Sequence, residues 1–117
     1  MAHDVIHERY PKHGSAYYRE MERITRAKYE KLAPDVQYAL AQLDDIAVCR
    51  ANLGKPDEAV EIMRDKLARQ KALGTPEKER YSTYANLGTF LTYANWEKAM
   101  TGDAAARQRY REGVELI

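Results

Sequence analysis

The 117-residue chain is the size of one domain and long enough to bury a single core. With 19 Lys and Arg against 18 Asp and Glu, it has no bulk field to recruit nucleic acid or anionic lipid, so neither is expected as a partner. No apolar run nears the ~20 residues that cross a bilayer, and the opening MAHDVIHERYPKHG lacks the basic and apolar stretches of a signal peptide; a soluble, cytoplasmic protein is expected.

Residues 1–14 hold three histidines, a proline and a glycine without a sustained period and read as an extended arm. Beyond them apolar residues recur at spacings of three and four, β-branched residues are few, and Ala, Leu, Glu, Lys, Arg and Gln abound, so the expected class is all-α. A leading helix over 15–33 takes Ser15 as N-cap and buries Tyr17, Met21, Ile24 and Leu32, with Arg19, Glu20, Glu22, Arg23 and Arg26 on other faces. Pro34 suits the first turn of a second helix, whose apolar face of Val36, Leu40, Leu43, Ile46, Ala47 and Leu53 stops at Gly54. Cys49 has no second cysteine to pair with and reads as a small core residue beside Ile46, Ala47 and Val48.

Lys55-Pro56-Asp57-Glu58 restarts the chain with proline at the first turn and carboxylates where the helix dipole favours them. Ala59, Ile62, Met63 and Leu67 form the buried side of this third helix, and the short turn makes 35–72 an antiparallel hairpin. Leu73-Gly74-Thr75-Pro76-Glu77 repeats the punctuation, with Thr75 as cap and Pro76 at the first position of a fourth helix running to Tyr93. Residues 95–102 then interrupt the pattern before Asp103 caps a final helix through Ala106, Tyr110, Val114 and Leu116, giving a second hairpin over 76–117 with a longer turn.

Tyr84, Leu87, Gly88 and Leu91 repeat Leu43, Ile46, Ala47 and Arg50 at a constant offset of 41. The pattern resembles the tetratricopeptide repeat. In the first hairpin Leu43, Ile46-Ala47, Gly54, Ala59, Met63 and Lys66-Leu67 fit over 28 residues; in the second Tyr84, Leu87-Gly88 and Leu91 fit, and Ala106, Tyr110 and Gly113-Val114 fit after six extra turn residues. Two departures stand out: Arg50 lies where the family has tyrosine, and the repeat is seven residues longer than the usual ~34, about two helical turns. Ala47, Gly88, Ala59 and Ala106 are expected where helices cross closely.

The resemblance implies a single helical domain over 15–117, stacked as a short right-handed superhelix, that acts as a non-enzymatic scaffold binding a peptide or protein segment. Its concave groove maps onto Asp44, Asp45, Val48 and Asn52 of the second helix and Ser82, Asn86, Thr89 and Tyr93 of the fourth, a polar, mildly acidic set. The family's carboxylate clamp wants Lys and Asn where Asp44 and Val48 stand, so acidic tails are disfavoured there and only Asn86 matches. Two repeats are few for a solenoid, and the final helix reads as uncapped, so self-association through it, or a longer parent chain, is expected; a purely structural homo-oligomer is the alternative reading.

Other chemistry is thinner. His3, His7 and His13, with Asp4 and Glu8, are a ligand set zinc or nickel accepts, but no second cluster fixes a geometry and neither metal nor other cofactor is expected. Phosphate-loop, nucleophile-elbow, Cys-x-x-Cys and His-Glu-x-x-His motifs are lacking, so no enzyme is expected. Nine tyrosines suit crevices between helices as well as binding surfaces, with Tyr17, Tyr84 and Tyr110 expected in the core. Trp96 is expected in the inserted turn, folded back over the second hairpin.

Overall fold

A computed structural model describes residues 14–33 and 37–117. Among them are five helices and no strand: α1 (Ser15–Glu30), α2 (Gln37–Asn52), α3 (Pro56–Ala72), α4 (Glu77–Met100) and α5 (Ala104–Leu116). The histidine-bearing stretch 1–13 and the readings of Pro34 and Val36 lie outside the described residues.

One device ends α2, α3 and α4. Gly54, Gly74 and Gly102 each take positive φ, at 84°, 71° and 99°. The amide after each glycine then reaches back to a carbonyl of the last turn: Lys55 to Arg50 at 2.9 Å, Thr75 to Gln70 at 2.9 Å, Asp103 to Lys98 at 3.0 Å. This six-to-one closure satisfies carbonyls that a helix end would otherwise leave bare, and a Cβ at such a φ is strained by about 1 kcal/mol. Restarts are equally local. Pro56 occupies the first turn of α3 with Asp57 and Glu58 beside it, and the Asp103 carboxylate accepts from the Ala106 amide at 2.8 Å at the start of α5.

Several boundaries differ from expectation. The N-cap of α1 is Gly14, with Ser15 already helical, and that of α4 is Pro76, one residue after Thr75. The leading helix stops at Glu30 because the amides of Lys31 and Leu32 tighten onto Lys28 and Tyr29 carbonyls three residues back, at 3.2 and 3.0 Å. The largest correction concerns α4, which does not end near Tyr93 but continues unbroken to Met100. Asn95, read as a breaker, is buried: its amide donates to the Leu91 carbonyl at 2.8 Å and its oxygen accepts from Arg109 Nε of α5 at 2.8 Å. With both ends satisfied it ties two helices together rather than turning the chain. The second hairpin turn is therefore no longer than the first; the extra residues extend a helix instead.

Consecutive helices pack against one another, and α2 also touches α4. Tyr29 of α1 accepts from Arg69 of α3 at 2.7 Å, and Arg64 of α3 pairs with Glu112 of α5 at 3.0 Å. These links put α1, α3 and α5 in one layer and α2 and α4 in another, in a slab of 41 × 38 × 19 Å whose thin dimension is about two helix diameters. Stacked antiparallel hairpins are compatible with that pattern of contacts.

The main core joins Leu40, Leu43, Ile46, Ala47 and Ala51 of α2 to Ala59, Val60 and Met63 of α3 and to Leu87, Phe90 and Leu91 of α4. A second cluster of Tyr17, Met21 and Cys49 fastens α1 to α2. Burial in that cluster, reinforced by the nearby Glu22 and Asp45 charges, pushes the Cys49 thiol up to about 12. Because the raised value disfavours the thiolate only in the folded chain, stability is full below the ordinary value of 9.0 and declines as pH rises from there towards 12. Native Cys49 should accordingly resist a thiol reagent at pH 8 and react at once in guanidinium; rapid native labelling counted by mass spectrometry is the contrary result.

Arg50 is not misplaced. Its guanidinium meets Glu22 of α1 at 3.2 Å and Glu58 of α3 at 2.9 Å, bridging three helices from a position where an apolar residue was expected. The hydrogen bond from Arg50 holds the Glu58 carboxyl below its ordinary value of 4.5. A depressed carboxylate contributes stability that is present above 4.5 and is lost as pH falls through the folded value. Thermal melts at descending pH should show a steeper loss of Tm below that point for the wild type than for Glu58→Gln; identical slopes would remove the bridge from the account.

Where α4 and α5 cross, Gly88 and Gly113 face each other. A Cβ built on Gly88 would lie 2.6 Å from the Gly113 carbonyl oxygen, and one on Gly113 2.7 Å from that of Gly88. Ala106 is wholly buried in the same interface. Because α5 approaches through Gly113, two of its expected core residues turn outward, Val114 exposed and Tyr110 at the margin of exposure, whereas Leu116 is partly buried against the main core; Tyr84 of α4 is half-buried.

Candidate functional site

The chain reverses at each of the two intervening turns, so α2 and α4 run parallel and their matching faces lie side by side. On α2 this face carries Asp44, Asp45, Val48 and Asn52; on α4 it carries Ser82, Asn86, Thr89 and Tyr93. Fours and threes alternate along α4, so its four residues fall within a narrow arc of the helix.

The structure brings Asp44 and Asn86 together. One Asp44 oxygen accepts from Lys66 Nζ of α3 at 2.7 Å, and the other accepts from the Asn86 amide at 3.3 Å. Lys66 is only 4 % exposed, so this trio is a buried polar tie among α2, α3 and α4. Asp44 is held by the protein itself, and Lys66 offsets its charge, leaving the face polar rather than strongly acidic. Asp45 is half-buried, near enough to Cys49 to raise its pKa. Val48 is half-buried and packs against the main core. Asn52 and Thr89 donate to carbonyls of their own helices, to Val48 at 2.8 Å and Ala85 at 2.9 Å. Ser82 and Tyr93 are exposed and make no hydrogen bond to a described residue. Of the eight expected groove residues, Asp44 and Asn86 are thus tied into the fold, while the side chains of Ser82 and Tyr93 are left exposed.

Compared with protein-family models, curated proteins and solved structures, the chain matches none. Function must be read from the surface itself.

Because α4 does not end at Tyr93, its outward stripe continues through Trp96 and Met100, which are 47 % and 77 % exposed. Trp96 is thus not folded back over the hairpin. It lines a cleft of about 280 Å³ with Ala99, Met100, Arg107, Tyr110 and Arg111, between the last two turns of α4 and the first two of α5. The sequence held a signal for this, since 82, 86, 89, 93, 96 and 100 keep the alternation of four and three. Reading Asn95 as a breaker hid it.

No three of His, Cys, Asp and Glu converge among the described residues, and His3, His7 and His13 lie outside them. No described helix is long and apolar enough to cross a membrane.

Proposed function

We propose that the chain is a tetratricopeptide-class scaffold without catalytic activity of its own, which holds a peptide or extended protein segment along the paired faces of α2 and α4. The observation that carries this reading is the pairing of parallel helices whose stripe includes exposed, hydrogen-bond-capable Ser82 and Tyr93, beside an Asp44 charge already offset by Lys66. Polar side chains in register along two parallel helices suit the repeating donors and acceptors of an extended backbone, with tyrosine adding contact area at low entropic cost. Even charge balance and the absence of a spanning helix among the described residues agree with a cytoplasmic protein partner rather than nucleic acid or membrane.

Selection of a displayed random dodecapeptide library against the full chain tests it. Enriched peptides should lose at least tenfold in affinity for a Tyr93→Ala, Asn52→Ala double variant whose melting temperature is unchanged. Failure to enrich, or affinity indifferent to both substitutions, would count against the groove. A structural homo-oligomer is the second reading, favoured by exposed Val114 on α5. It predicts a dimer that persists through a light-scattering dilution series and dissociates on Val114→Glu; a monomer at all concentrations removes it.

A further inference from the structure

The cleft at the far end of α4 differs in chemistry from the groove. Its floor is apolar and aromatic, supplied by Trp96, Met100 and Tyr110, and one wall is cationic, supplied by Arg107 and Arg111. These two arginines stand four residues apart, on one face of α5. Neither has a carboxylate partner among the described residues, although Arg107 Nε donates to the Ala99 carbonyl at 3.2 Å. Two of the carboxylates close to them in the chain are engaged elsewhere: Glu112 pairs with Arg64 at 3.0 Å, and Asp103 accepts from the Ala106 amide at 2.8 Å. Exposed aromatic area beside unpaired guanidinium groups is the composition of an interface centre, where a large apolar side chain is enclosed and planar carboxylates are met bidentately.

We propose that this cleft docks an acidic peptide segment of a partner protein, its apolar side chain seated against Trp96 and Tyr110 and its flanking carboxylates on Arg107 and Arg111. Charge complementarity chooses the occupant: a basic or neutral segment would leave both guanidiniums unpaired at the rim of a closing interface. The site uses residues separate from those of the α2–α4 groove, and the variants that test each are different, so either can fail alone.

The probe is a fluorescein-labelled octapeptide with a central Leu-Phe pair flanked by three acidic residues on each side, titrated with the full chain by fluorescence anisotropy. Saturable binding is expected, weakened at least tenfold by Trp96→Ala and by Arg111→Glu, by replacing Leu-Phe with Ala-Ala, and by replacing the acidic residues with lysine. Raising the salt should weaken it further, as screening requires. Lys78→Ala, at the opposite end of α4, is the matched control. Arg111 is exposed, so its substitution remains informative if Trp96→Ala fails to fold. Absence of saturable binding, or binding equal in wild type and Arg111→Glu, overturns the proposal. So does a concentration-dependent dimer that Trp96→Ala dissolves and the peptide does not displace, which would make a second copy of this chain the occupant.

Discussion

Gly88→Ala should destabilise the protein by about 2–3 kcal/mol, an overpacking cost that lowers Tm by about 10 °C or more. Helix propensity alone argues the reverse, since alanine in place of glycine within a helix gains about 1 kcal/mol. Packing decides the sign. The added methyl would meet the Gly113 carbonyl oxygen at 2.6 Å, and that atom belongs to helical backbone that cannot rotate aside. Gly113→Ala should behave alike, because its methyl would meet the Gly88 oxygen at 2.7 Å and Leu91 and Thr92 at 2.9 Å. Once one methyl has pushed α4 and α5 apart, the second meets less resistance, so the double variant should lose clearly less than the sum. Urea denaturation of the four proteins in the cycle, followed by circular dichroism, measures all of this. Wild-type stability in Gly88→Ala would mean that the two helices do not cross at this distance.

Asp44→Ala is the second large effect, at about 3 kcal/mol. It strands the Lys66 ammonium, 4 % exposed and 2.7 Å from the lost carboxylate, without a charge partner. The reciprocal change is milder: Lys66→Met leaves Asp44 about one quarter exposed and still accepting from Asn86, for a cost of about 1 kcal/mol. Removing both charges together should recover most of the stability, because an isosteric apolar pair carries no stranded ion. If Asp44→Ala proves no worse than Lys66→Met, the tie is solvated, and Asp44 returns to the set of groove residues open to a ligand.

What the sequence made legible is local. Glycine stops and proline restarts act within five or six residues, so the α2–α3 hairpin and the capping of α5 by Asp103 could be read directly. Burial of Ala47, Ala59, Gly88 and Ala106 followed from the repeat, since small residues at helix crossings recur with it. What stayed hidden depends on partners distant in the chain. Asn95 sits buried within α4 with its oxygen satisfied by a hydrogen bond from Arg109, fourteen residues on. Arg50 looked like a fault in the apolar stripe because Glu22 and Glu58 belong to other helices. The stripe of expected groove residues was visible as spacing, yet that spacing could not show that Lys66 reaches Asp44 and holds it. Where Gly113 rather than Val114 faces α4, a shift of one residue turned an expected core side chain outward.

Trp96 is the only tryptophan in the chain, and it lies in the part of α4 that outruns α2. Its emission is therefore a local gauge of one end of the molecule, while circular dichroism sums over every helix. The last two turns of α4 are joined to α5 through the Asn95–Arg109 hydrogen bond and lie beyond Leu91, the last α4 residue of the main core, so this end is the place where opening would begin on mild heating. Fluorescence and ellipticity curves that fail to superimpose would then report fraying of this end before the rest melts, and a single midpoint fitted to the tryptophan signal would understate the stability of the slab as a whole.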